Sequence, residues 1–94
     1  MNEIQGKEKL DKIRNIAEKI AKKHLNKELT GQNILALIKD IEKNIELEVP
    51  DFRSIISCIE FKVEPKDQKG IIHITYHHEI TMRYGIKELI ITIT

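Results

Sequence analysis

The apolar residues of this chain follow one period before Pro50 and a different period after it. Before Pro50 they recur every three or four residues, as on one face of an α-helix. After Pro50 they alternate with polar residues, as in a strand with one buried face. A proline also disfavours helical geometry in the residue before it. The switch therefore divides the chain into a helical part, residues 1–50, and a sheet part, residues 51–94.

Two helices are predicted in the first part. The first runs from Lys7 to about Leu25. Its apolar positions, spaced by three and four, are Leu10, Ile13, Ile16, Ala17, Ile20, Ala21 and Leu25. The second helix begins after Thr30, a favourable N-cap residue, and ends before Pro50. The short connection around Asn26–Leu29 favours an antiparallel helical hairpin.

Three strands are predicted in the second part. The first begins between Ser54 and Ser57 and ends at Glu64, since its apolar residues there alternate. The second covers Ile71–Met82 and the third Glu88–Thr94. The connections, residues 65–70 and 83–87, contain the proline and glycine typical of turns. Connections this short favour antiparallel neighbours.

The element order predicts a two-layer α+β fold (ααβββ), with an N-terminal αα-hairpin packed on a three-stranded antiparallel β-meander. A chain of 94 residues has room for one core, so residues 1–94 are expected to form a single domain. Alternation directs one set of side chains toward the helices: Ile59, Phe61, Val63, Ile72, Ile74, Tyr76, Ile80, Met82, Leu89, Ile91 and Ile93. It directs a second set to the open side: Ile56, Cys58, Glu60, Lys62, His73, Thr75, His77, Glu79, Ile90 and Thr92.

The open side of the predicted sheet mixes apolar, thiol and charged side chains. One face and both edges of a three-stranded sheet stay uncovered in this arrangement, and such surfaces often pair with a partner. The leading hypothesis is therefore a non-enzymatic protein-binding module that forms a homodimer through its sheet. An adaptor, an assembly component or an inhibitor, of phage or mobile-element origin among others, would fit. The expected contact residues are Ile56, Cys58, Glu60, His73, Thr75, His77, Glu79 and Ile90.

Lysines on the first helix support an alternative hypothesis, nucleic-acid binding. The net charge of the chain is only +1, but the charges are unevenly distributed. Residues 1–27 contain eight basic and four acidic side chains, whereas residues 28–51 contain two basic and six acidic ones. Basic side chains bind the negatively charged phosphates of a nucleic-acid backbone. The interleaved Asp11 and Glu18, the scarcity of arginine and the lack of an aromatic platform favour a solvated helix face instead. The candidate residues are Lys12, Lys19, Lys22, Lys23 and Lys27.

Histidine and cysteine raise a third hypothesis, a metal site or an enzyme. On one strand His77 and Glu79 would lie roughly 7 Å apart, with Cys58 or Glu60 on the neighbouring strand. Such a group suits zinc, or a general base oriented by a carboxylate. Cys58 is also a possible nucleophile with a histidine as its base. Dense ligand motifs are absent from the sequence, so we assign no metal, no cofactor and no catalytic residue.

The sequence predicts a cytoplasmic protein without membrane contact. Its single cysteine, Cys58, has no partner for an internal disulfide. The first residues lack the basic and apolar regions of a signal peptide. Nor does any apolar run reach the length of a membrane span.

Overall fold

The structure is a computed structural model that describes residues 3–24, 27–64, 66 and 69–93, with side chains from Gly6 onward. The predicted α+β class is confirmed, with one additional short helix. None of the described helices is long and apolar enough to cross a membrane. The elements in chain order are α1 (Glu3–Lys23), α2 (Gly31–Glu48), a 3₁₀ turn (Phe52–Ser54), β1 (Ile56–Glu64), β2 (Lys69–Tyr76), α3 (His78–Tyr84) and β3 (Glu88–Ile93).

The sheet has the order β1-β2-β3, with both pairs antiparallel, so β2 is its central strand. On one face α1 packs against β3 and α2 packs against β1. Because both helices lie on this face, it contains the core. The five largest fully buried side chains are all isoleucines from α1, α2 and β2: Ile13, Ile41, Ile45, Ile72 and Ile74. Tyr76 at the end of β2 is also buried, and burial raises the pKa of its phenol to about 12.

The ends of the helices follow local rules that the sequence already shows. The Thr30 hydroxyl accepts a hydrogen bond from the backbone N–H of Asn33 at 3.2 Å, which confirms the N-cap. The α2 helix ends at Glu48, before Pro50 as predicted. In contrast, α1 begins at Glu3, earlier than predicted. The predicted hairpin loop falls partly on residues 25 and 26, which lie outside the described residues.

Two side-chain contacts connect α1, together with His24 just after it, to α2 and the segment that follows. His24 Nε2 lies 3.2 Å from Asp40 Oδ2, and the His24 side chain is only 11% exposed. Lys9 Nζ lies 2.8 Å from Asp51 Oδ2, just beyond α2. This hydrogen bond lowers the pKa of Asp51 from its ordinary value. The opposite charges of the two helical segments are thus partly matched by specific contacts.

The prediction that the second strand extends to Met82 is wrong, because β2 ends at Tyr76 and α3 follows. The His77 carbonyl accepts the first helical hydrogen bond, from the Thr81 N–H at 3.0 Å. Ile80 and Tyr84, one helical turn apart, pack against the core. The same residues read as strand in the sequence because Tyr76, Ile80 and Met82 also fit a period of two. Met82, predicted to face the helices, is instead 74% exposed on α3.

Two predictions for β1 are also wrong, the direction of the Ile56 side chain and the burial of Val63. A bulge between Ile56 and Cys58 shifts the alternation by one residue, so Ile56 faces the core and is 7% exposed. Val63, predicted to contact the helices, is 45% exposed. It pairs with Gly70 at the far end of the β1–β2 hairpin, where the Phe61 ring covers the glycine. The connecting turn falls on residues 65, 67 and 68, outside the described residues, as does Thr94.

Replacing Gly85 by alanine is expected to destabilise the protein, because Gly85 ends α3 with a left-handed φ of 69°. A side chain in this conformation costs about 1–2 kcal/mol. Gly31→Ala is the matched control. Gly31 lies in the first turn of α2, and nothing lies within 4 Å of a Cβ added there. Urea unfolding followed by circular dichroism measures both variants, and equal stabilities would contradict the assigned cap.

Candidate interaction surface

The outer face is the side of the sheet opposite α1 and α2. Its residues form three rows across the strands, which the register defines directly. One row is Cys58–Thr75–Glu88, the next Glu60–His73–Ile90 and the third Lys62–Ile71–Thr92. No helix of the described chain covers these rows, and Ile90 is 52% exposed.

Five of the eight contact residues predicted from the sequence lie on the outer face: Cys58, Glu60, His73, Thr75 and Ile90. The other three do not. Ile56 is in the core because of the bulge. His77 caps α3 and Glu79 lies in its first turn, since β2 has already ended. The structure therefore assembles a smaller and more regular surface than the predicted one.

His73 is the centre of a polar cluster on this face. Its Nδ1 lies 3.5 Å from Glu88 Oε2 on β3, and Glu60 is its direct neighbour on β1. The His73 side chain is 16% exposed, so neighbouring side chains cover most of it. The sequence did not reveal the pair with Glu88, because the register of β2 against β3 depends on the unforeseen α3.

Cys58 is exposed on the outer face and has no disulfide partner. Partial desolvation of its thiol by neighbouring atoms is the main factor that raises its pKa, and the negative charge and hydrogen bond of Glu60 add to the effect. A nucleophilic cysteine requires the opposite, a lowered pKa beside cationic groups. The register places His73 diagonal to Cys58, but the raised thiol pKa disfavours a nucleophilic thiolate.

His77 belongs to a separate groove beside the bulge of β1. Its Nε2 donates a hydrogen bond to the backbone carbonyl oxygen of Arg53 at 3.2 Å. Its backbone N–H donates a second hydrogen bond, to the carbonyl oxygen of Ile55 at 2.8 Å. Cys58 and Ser57 line the same groove. These hydrogen bonds fix the start of α3 against the 3₁₀ turn, so His77 has a structural role here.

The metal hypothesis required His77 and Glu79 to share one strand face. Both instead belong to the α3 region, so that arrangement does not form. Within residues 6–24, 27–64, 66 and 69–93, no group of three or more histidine, cysteine, aspartate and glutamate side chains is placed to hold a metal ion.

The lysines of the alternative hypothesis lie on or just after α1. All are exposed: Lys12, Lys19, Lys22, Lys23 and Lys27. None of them forms an ion pair within the part of the chain that the structure describes. Glu18 interrupts the row and pairs with Arg14 at 3.3 Å. The arrangement is a basic helix face with an acidic interruption.

A shallow groove runs along β3 where this strand meets α1. Ala21, Lys22 and Glu18 line its helical side, and residues Ile90–Ile93 line its strand side. Because β3 is the last strand of the sheet, its outward backbone groups border this groove. The groove thus joins an open strand edge to a pair of opposite charges.

Comparisons with protein-family models, with curated proteins and with solved structures returned no match to this chain.

Glu60→Gln is expected to accelerate alkylation of Cys58 by iodoacetamide at pH 8, by about two- to threefold. The substitution removes a carboxylate that raises the thiol pKa and so increases the reactive thiolate fraction. Glu64→Gln, on the same strand but roughly 20 Å away, is the control and should leave the rate unchanged. Mass spectrometry of the timed reaction measures both rates. Equal rates in the two variants would contradict the contact between Glu60 and Cys58.

Proposed function

We propose that this chain is a non-enzymatic protein-binding module that self-associates through its three-stranded sheet. The observation that carries the proposal is the one-sided covering of the sheet. Both long helices pack on one face, while the outer face and the β3 edge have no cover within the described chain. Ile90, at the junction of that face and that edge, is 52% exposed. An uncovered strand edge of this kind is a template for pairing with another chain.

The side chains that could perform chemistry support a binding role over catalysis. The pKa of the Cys58 thiol is raised, which disfavours a nucleophile. The His73 side chain faces Glu88 and is mostly covered by neighbouring side chains. The His77 ring is hydrogen-bonded to the backbone carbonyl oxygen of Arg53. Each of these groups is thus engaged with a neighbour of its own chain.

A second copy of the chain is the partner that the proposal names. Homodimers with two-fold symmetry are the commonest oligomers, and an uncovered strand edge is complementary to itself. A small chain has limited core, so added burial across an interface contributes a substantial share of its stability.

The proposal predicts a concentration-dependent mass. Sedimentation equilibrium from about 1 µM to about 500 µM, which brackets micromolar dissociation constants, should show a rise from 11.0 kDa toward twice that value. The thermal midpoint should rise over the same range, because dimerisation stabilises the folded state by mass action. A mass of 11.0 kDa at every concentration would refute self-association.

Nucleic-acid binding by α1 is the second candidate, favoured by the exposure of the five candidate lysines on α1 and just after it. If it holds, the chain binds a labelled duplex or single strand at about 50 mM salt, and affinity falls steeply by about 200 mM. Lys12→Gln with Lys19→Gln should weaken binding, whereas Lys62→Gln with Lys87→Gln, equal in charge but on β1 and just before β3, should not. Fluorescence anisotropy measures this. Absence of binding at low salt eliminates the candidate.

A further inference from the structure

The two edges of the sheet differ in how they are protected. On β1, the bulge after Ile56 and the charged Glu60 and Lys62 hinder pairing with another strand. On β3, no residue after Glu88 is charged and the register with β2 runs without interruption to Ile93. Natural sheets usually protect an exposed edge by charge, proline or irregularity. Apart from Glu88 at its start, the β3 edge has none of these within its described residues.

The outer face is less suited to pairing than the β3 edge. Stacking two outer faces would remove Glu60, His73 and Glu88 from water, together with Lys62. Burying charged groups is unfavourable unless each finds a well-placed partner. Pairing at the β3 edge leaves these groups as accessible to solvent as they are in the single chain, and it satisfies backbone N–H and C=O groups instead.

The charges beside β3 are complementary under a two-fold axis. Glu18 and Lys22 lie one helical turn apart on α1, and both line the groove along β3. An axis perpendicular to the sheet sets the two α1 helices antiparallel and adjacent. Glu18 of one copy then faces Lys22 of the second copy, and the same contact occurs twice. Ala21 between them is small enough to permit a close approach.

Glu88, the only charged residue of β3, also tolerates this arrangement. In antiparallel strands related by a two-fold axis near Ile91, the two copies of Glu88 lie at opposite ends of the pair. They are therefore kept apart, and the uncharged middle of one strand meets that of the other.

We propose that two copies pair β3 to β3 in antiparallel fashion, giving a continuous six-stranded sheet with the long helices on one face. This inference rests on the proposed self-association and specifies its surface. Both outer faces then lie on the same side of the dimer and remain open. Cys58, on the outer face and far from β3, keeps its exposure.

The test compares one substitution at two places. Thr92→Lys introduces a charge at the β3 edge, and Thr75→Lys introduces the same charge in the middle of the outer face, on the central strand. Pairing at the edge predicts that Thr92→Lys weakens dimerisation about tenfold or more, while Thr75→Lys leaves it unchanged. Sedimentation equilibrium measures the dissociation constants, and circular dichroism reports whether each variant is folded.

A charge exchange on α1 provides a test that does not alter the sheet. Glu18→Lys alone and Lys22→Glu alone each place like charges across the axis and should weaken dimerisation. The double variant restores opposite charges and should recover most of the affinity. Failure of the double variant to recover would overturn the proposed axis.

The outcomes separate the two proposals. A wild-type chain that stays monomeric refutes self-association and the edge pairing together. Thr92 also lies in an outer-face row, so stacking of outer faces is weakened by both variants. A dimer that Thr75→Lys weakens as much as Thr92→Lys, or more, therefore overturns the edge pairing and retains self-association through the outer face. A dimer in which Cys58 reacts more slowly with iodoacetamide than in the monomer points to the same conclusion. Edge pairing predicts equal rates.

Discussion

The fold depends on a single apolar layer, in which isoleucines of two helices meet isoleucines of the central strand. Ile13, Ile41 and Ile45 from the helices and Ile72 and Ile74 from β2 are the largest side chains completely removed from water. Burial of one such side chain stabilises the folded state by about 1.5–3 kcal/mol. Since β2 lies in the middle of the sheet, both edge strands are held to the sheet through it. Among the described side chains, every buried nitrogen or oxygen atom has a hydrogen-bond partner, so no unsatisfied polar group weakens this layer.

Much of this architecture could be predicted from the sequence, because burial imposes a period on it. The change of period at Pro50 indicated two layers, and Thr30 and Pro50 marked the limits of α2 correctly. The α3 helix was missed because Tyr76, Ile80 and Met82 satisfy a strand period as well as a helical one. Evidence for a helix was nevertheless present: Glu79 and Arg83 stand one turn apart, and Gly85 follows as a helix terminator. The bulge at β1 was not predictable, since a single inserted residue leaves no compositional trace.

The candidate surface was predictable only where alternation continued without interruption. Cys58 and Glu60 were placed correctly because they follow the bulge, while Ile56 precedes it. His73 and Thr75 were placed correctly because β2 is regular as far as Tyr76. The contact of His73 with Glu88 required knowledge of how β3 aligns with β2, and thus of the length and shape of α3. Pairing between strands is a long-range property, so local patterns do not contain it.

The packing of α1 against β3 has a consequence for how the chain acquires its structure. These two elements lie at opposite ends of the sequence, and Tyr84 reaches back to cover Gly6 in α1. Joining them closes a loop over residues 24–87, which carries an entropic penalty and slows folding. During synthesis, the apolar stripe of α1 leaves the ribosome long before the strand that covers it. The N-terminal hairpin must therefore remain incompletely covered until translation has reached Ile93, and it is in this interval that the chain is most exposed to aggregation.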